Sequence, residues 1–270
     1  MNQFMSDAST IQRLRHDFRR RVFQFKHPKK FRRLQTLRKE VGADGYSFLP
    51  FDQSRSIFVH IPKAAGISIG KNLYAGIAGG HTAIRTYELV FSSTDFYDFF
   101  KFTFVRNPWD RLKSAYDFLR MGGMNDTDRA WAERNLASYA SFEDFVLHGL
   151  ADREILKFTH FIPQHQFLQG TGSSGLPVDF IGLYENLAQD FETVQRRISG
   201  NTATPLSHEN KTSKIMARHY TEAYTEEMRA IVSETYKADI ALFGYTFDNS
   251  SLQTQLETRD NTGIATASRR

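Results

Sequence analysis

Three short apolar runs stand out along the chain: SIFVHI (56–61), FKFTFV (100–105) and VDFIGLY (178–184). They are too short for helices and rich in β-branched and aromatic residues. They are also apolar on both faces, which is the pattern of strands buried in a parallel sheet. A loop at Pro62–Gly66 leads from the first run into a predicted helix from Ile67 to Ala78, closed by Gly79-Gly80. The second run meets Asn107, a predicted N-cap, and Pro108 as the first helical residue, and Gly122-Gly123 stops that helix. Residues 124–175 read as helix and loop, with Ser141 and Glu143 near a capping-box pattern. The third run leads into ENLAQDFETVQRRI, and a last long helix is predicted from His219 to Leu242, capped near Gly244. Strands alternating with helices predict an α/β fold, a P-loop-like central parallel sheet flanked by helices. Ligands of such sheets bind at the carboxyl ends of the strands, and two loops fall there, after Ile61 and after Val105.

The ends differ from this pattern. The sequence predicts a basic, partly helical arm over 1–45, one domain over 46–248, and a polar, disordered tail over 249–270. Residues 10–40 hold twelve Lys and Arg against Asp17 and Glu40, whereas the rest of the chain holds 23 bases against 28 acids. A basic arm on a mildly acidic body suits a polyanion or an anionic membrane surface. The same charges also suit a solvated leader helix, folded back on the acidic body. Charge alone does not choose between these readings.

The sequence has no cysteine, which excludes a disulfide framework, a thiolate zinc site and a cysteine nucleophile. No stretch approaches the roughly 20 apolar residues that cross a bilayer. A charged start followed by an apolar leader is also missing. The chain therefore reads as soluble, and a cytoplasmic, bacterial-type setting is expected.

The two strand-end loops carry the chemistry. In PKAAGIS (62–68), the small residues Ala64, Ala65 and Gly66 let the backbone turn its N–H groups toward one oxyanion. The helix N-terminus beyond adds partial positive charge. Lys63 can place an ammonium on the same anion and Ser68 can donate a hydroxyl. The spacing is not that of a nucleoside-triphosphate loop, because the lysine precedes the glycine. The second strand ends in Arg106 rather than in a magnesium-holding carboxylate, which argues for a metal-free anion site. Arg106 and Ser114 can close on a second anion, so the ligand is expected to carry two separated phosphate-like groups.

FVHIPKAAGIS together with FTFVRNPWDRLKSAY, about 40 residues apart, resembles the PAPS-dependent sulfotransferases, in their carbohydrate sulfotransferase-like branch. HTAIRTYEL, FIPQHQFL, VDFIGLYENL, HENKTS and ADIALFGYTF resemble later landmarks of that family, so the likeness spans about residues 56–247. It implies a sulfotransferase fold and PAPS (3′-phosphoadenosine-5′-phosphosulfate) as co-substrate, with no metal. The acceptor it implies is a hydroxyl, on a carbohydrate in this branch. It further implies that residues 64–68 hold the 5′-phosphate, with Lys63 on the leaving oxygen and Arg106 and Ser114 on the 3′-phosphate. Lys211, in the late loop with Asn210 and Ser213, would cover the nucleotide. Ile67 stands where many relatives have Thr, and Ala64 replaces their first Thr, so backbone donors carry more of this loop than side chains.

A hydroxyl acceptor must lose a proton, and histidine is the usual agent. His81, which opens HTAIRTYEL, is the expected base. His60 reads as a structural strand-end residue; His165, His208 and Glu185 are weaker candidates. Arg111 is expected in a structural ion pair with Asp110 or Glu185, and Trp109 and Phe104 in the core. Two other readings use the same loops: a P-loop kinase-like phosphotransferase, and a polyanion- or nucleotide-binding module without turnover.

Overall fold

The computed structural model describes residues 2–43, 45–172, 175–200 and 219–261. Its centre is the predicted parallel sheet. β1 (Ser56–Val59), β2 (Phe100–Val105) and β3 (Phe180–Leu183) lie side by side in chain order. Ser56 is in register with Phe100, and Phe102 with Phe180. Every strand residue except the half-buried Phe100 is buried, which explains the continuous apolar runs. The polar residues within these strands are partnered. Thr103 Oγ1 donates to the Val59 carbonyl at 2.7 Å, and Lys101 Nζ lies 3.0 Å from Asp179.

Among the described residues α1 (Asn2–Lys26), α2 (Pro28–Thr36) and a short helix at Leu49–Ser54 precede the sheet. α3 (Gly66–Tyr74) follows β1 and α4 (Pro108–Arg120) follows β2, as the strand–loop–helix pattern predicts. Asn107 caps α4 through its side chain, which accepts from the Trp109 N–H at 3.1 Å. Next come α5 (Asp126–Asn135) and, after β3, α6 (Leu187–Ser199), which packs on β2 and β3.

Three boundaries differ from the sequence expectation. α3 ends at Ala75, which takes a left-handed φ of 54°, four residues before the glycine pair. The chain must leave the helix there so that Ala78 can bridge Ser47. The long helix expected over His219–Leu242 is broken into a single turn at Tyr220–Ala223 and two helices, Glu226–Thr235 and Lys237–Phe243. Thr225 caps the second piece, accepting from Met228 N, and Thr and Tyr at the joints replace a continuous apolar stripe. Of the tail expected to be disordered over 249–270, Leu252–Asn261 is helical (α7), and 262–270 lie outside the described residues. Arg259 reaches the buried Asp190 at 2.7 Å, and Gln255 Nε2 donates to the Phe243 carbonyl at 2.9 Å. These tertiary contacts order a segment whose composition alone does not.

The basic arm lies on the body. His16 is buried, with Nε2 3.1 Å from the Phe91 carbonyl oxygen. Asp17 accepts from the N–H and hydroxyl of Ser93. Arg13 pairs with Asp98 at 2.9 Å, and Arg38 pairs with Asp52 and Asp95. Part of the arm's charge is therefore spent on the acidic body. No helix among the described residues is long and apolar enough to cross a membrane.

Candidate active site

The loop after β1 is shaped by its backbone. Lys63 and Ala65 both take left-handed φ values, 66° and 64°, while Ala64 between them does not. Alternating handedness of this kind curls successive N–H groups into a concave anion nest. A left-handed non-glycine residue costs of order 1–2 kcal/mol, a strain that concentrates at functional loops. The nest runs directly into the N-terminus of α3, whose first N–H groups have no partner within the helix. Ala64 contributes its backbone here and buries its side chain in the core.

Gly66 has a separate steric reason. A Cβ placed on it would lie 1.8 Å from Cδ2 of His60. The His60 ring fills the space that a side chain at position 66 would need. The structural role expected for His60 is thus specific: it buttresses the nest from below.

The nest opens into a cleft of about 770 Å³. Lys63, Ala65, Gly66, Ile67 and Ser68 line it together with Arg106 and Ser114. His81 also lines it. Lys211, Asn210, Ser213 and His208 lie outside the described residues.

The cleft controls its own charges. Burial pushes the Lys63 ammonium down to about 8, and the nearby Arg106 adds to the shift. Lys63 Nζ sits 4.1 Å over the Phe118 ring, which supplies an aromatic face in place of water. Arg106 is gripped on three sides. Its Nε and Nη2 each donate to the Asp110 carboxylate at 2.8 Å, and Nη1 donates to the Lys63 carbonyl oxygen at 3.0 Å. Its guanidinium also stacks 4.0 Å over Tyr184. One N–H on each terminal nitrogen remains for a ligand.

Three histidine rings meet across the cleft. His60 and His81 have ring centroids 4.6 Å apart, and His81 and His160 are 5.5 Å apart. Burial and the neighbouring cationic groups drive His81 far below the usual histidine range. His60 falls to about 4, chiefly through burial and then through His160. All three rings are therefore neutral at pH 7, the form that can accept a proton.

His160 is the residue that sequence reasoning passed over. Its Nε2 lies 3.3 Å from Oδ1 of Asp128 on α5, and its buried Nδ1 has no hydrogen-bond partner among the described residues. Burial lowers its pKa, although the Asp128 carboxylate opposes that shift. The partners are 32 residues apart in sequence, so no local spacing announces them. The other candidates are occupied elsewhere. His165 is engaged with the buried Asp239 at 2.6 Å and does not line the cleft. Glu185 accepts from the Asn107 N–H and the Tyr245 hydroxyl.

Arg111 forms neither of its expected ion pairs, since Asp110 is taken by Arg106. It is buried and donates instead to the carbonyl oxygens of Pro62 and His160. Gln164, also missed, clamps the end of β2. Its side chain accepts from the Arg106 N–H at 2.9 Å and donates to the Arg106 carbonyl at 2.8 Å. Among the described residues no cluster of histidine and carboxylate side chains is arranged to hold a metal ion.

Comparison with known proteins gives one match. The profile of the sulfotransferase family aligns with residues 47–246, well over half of the chain. Searches of curated proteins and of solved structures returned no match.

Proposed function

Because this chain belongs to the sulfotransferase family, we propose that it moves a sulfuryl group from PAPS to an acceptor hydroxyl on a carbohydrate, by metal-independent in-line displacement that releases PAP. One observation carries the reading. The nest at 63–68 and the Arg106–Ser114 pair line a single cleft, and the guanidinium of Arg106 is bonded to the Lys63 carbonyl. Two anion grips joined in this way suit a ligand with two separated phosphates.

PAPS supplies a phosphosulfate whose bridging oxygen gains negative charge as it leaves. The N–H groups of Ala64 to Ser68 hold the 5′-phosphate, and Lys63 stabilises the developing charge. Arg106 and Ser114 hold the 3′-phosphate, which ADP and ATP lack. Lys211, outside the described residues, is assigned to the nucleotide by the family resemblance alone. His81 takes the acceptor proton. Burial and cationic neighbours make this ring a weak base, and the anions of a bound donor would offset those cations and raise its pKa toward the working range. His160, held by Asp128, stands beside it as the next ring in line.

Calorimetric titration with PAP, ADP and ATP without added metal tests the donor site. Binding of PAP at least about tenfold tighter than ADP, weakened in Arg106→Ala, supports it; equal binding of PAP and ADP overturns it. For the base, acceptor-dependent release of PAP should fall by about 10²–10⁴-fold in His81→Ala with PAP affinity retained. A variant retaining full turnover would move the role to another residue.

A further inference from the structure

α1 presents an apolar stripe to the outside. Ile11, Leu14, Phe18 and Phe25 are 49%, 65%, 68% and 86% exposed, and Val22 lies among them half-buried. On a helical wheel at about 100° per residue, these five fall within roughly 80° of arc. The face that grips the body, with His16, Asp17 and Arg20, points the opposite way. The stripe is therefore not the helix's core-facing seam. Exposed bases edge it, Arg15 and Lys26 on one side and Arg21 on the other, and Lys29, Lys30, Arg32 and Arg33 continue the charge on α2.

Each possible occupant must satisfy both the stripe and the rim. A second copy of α1 would match the apolar stripe but bring like charges against Arg15, Arg21 and Lys26. An acidic polysaccharide would match the bases but leave Phe18 and Phe25 in water. An anionic bilayer satisfies both features, with acyl chains for the stripe and headgroup phosphates for the rim. We propose that α1 is a docking ridge that seats the protein on an anionic lipid surface, with Ile11, Leu14, Phe18, Val22 and Phe25 at the acyl boundary. The ridge does not depend on the donor-site reading, since none of its residues lines the cleft.

The test is flotation of the full chain with phosphatidylcholine vesicles, with and without phosphatidylserine. At least about tenfold more protein should float with the anionic vesicles, and raised salt should reduce it. Phe18→Ser/Phe25→Ser should lose about tenfold of this binding while unfolding temperature and PAP binding stay unchanged. Arg15→Glu/Arg21→Glu should lose it as well. Equal flotation on neutral and anionic vesicles, or wild-type flotation of the double-serine variant, would overturn the proposal. So would a dimer in sedimentation velocity that the double-serine variant dissolves, without vesicle binding, since it would assign the stripe to a second copy. Heparin binding indifferent to the serine changes, again without vesicle binding, would assign the rim to a polysaccharide.

Discussion

Arg106 donates from Nη1 to the carbonyl oxygen of Lys63 at 3.0 Å, so the arginine after β2 holds the backbone of the lysine after β1. The two proposed anion grips are thus joined by a hydrogen bond. Arg106→Ala should do more than delete the proposed phosphate contact. It leaves Asp110 without its bidentate partner and frees the left-handed Lys63 to relax. PAP affinity should fall by at least about 100-fold, in line with a charge-assisted pair of roughly 3 kcal/mol. Arg106→Lys should recover little of it, because an ammonium cannot bond Asp110 and Lys63 together. Titration calorimetry of the three proteins checks this.

Lys63 makes the pH dependence of binding specific. With its pKa lowered to about 8 by burial and by Arg106, the free protein at pH 8 carries this ammonium partly deprotonated. An anion in the nest favours the charged form and raises that pKa, so PAP should bind with net proton uptake at pH 8 and almost none from this group at pH 6.5. Titration in buffers of different ionisation enthalpy reads the uptake directly. It should vanish in Lys63→Met.

Gly66→Ala should be far more harmful than its size suggests. Its Cβ would fall inside the His60 ring, and overpacking of this kind costs about 1–3 kcal/mol. His60→Ala in the same chain should restore most of the lost stability, because it removes the atoms in the way. Denaturant unfolding of the two single variants and the double measures the coupling. Simple additivity would show that the ring and the glycine do not compete for space.

The histidine cluster sets an acid limit on stability. His60, His81 and His160 all have folded pKa values below the ordinary 6.5, chiefly because they are buried. In the unfolded chain each takes a proton near pH 6.5, and in the folded protein each resists until a lower pH. The unfolded state therefore binds more protons across this window, and stability is full above about pH 6.5 and falls as pH drops below it. Unfolding temperature should decline from pH 7 to pH 5, and His81→Gln should flatten part of the slope. A flat profile in the wild type would contradict the burial of these rings.

The sheet was legible because buried parallel strands have to be apolar on both faces, and FKFTFV can hardly be anything else. The nest was legible because it is local: small residues, a lysine and a helix start within seven positions. His160 was not, because its meaning comes from Asp128 on another helix and from the fold that brings both to the cleft. Gln164 lies within FIPQHQFL, yet attention falls on the more reactive His165, which the structure turns toward Asp239. The arm's charge was visible, but charge does not report direction. Only the packing of His16 and Asp17 shows which side of α1 faces out.

Arg111 has a consequence for the rigidity of the cleft. Its Nε holds the carbonyl of Pro62, just before the nest, at 3.0 Å, and its Nη2 holds the carbonyl of His160 at 3.2 Å. One buried guanidinium thus links the loop after β1 to the segment at His160. Parting the two would strand a buried cation, at a cost of at least about 1–3 kcal/mol. The strained loop after β1 is thereby tied from beneath to the segment at His160, so its shape is held by the core of the protein and not only by its own backbone.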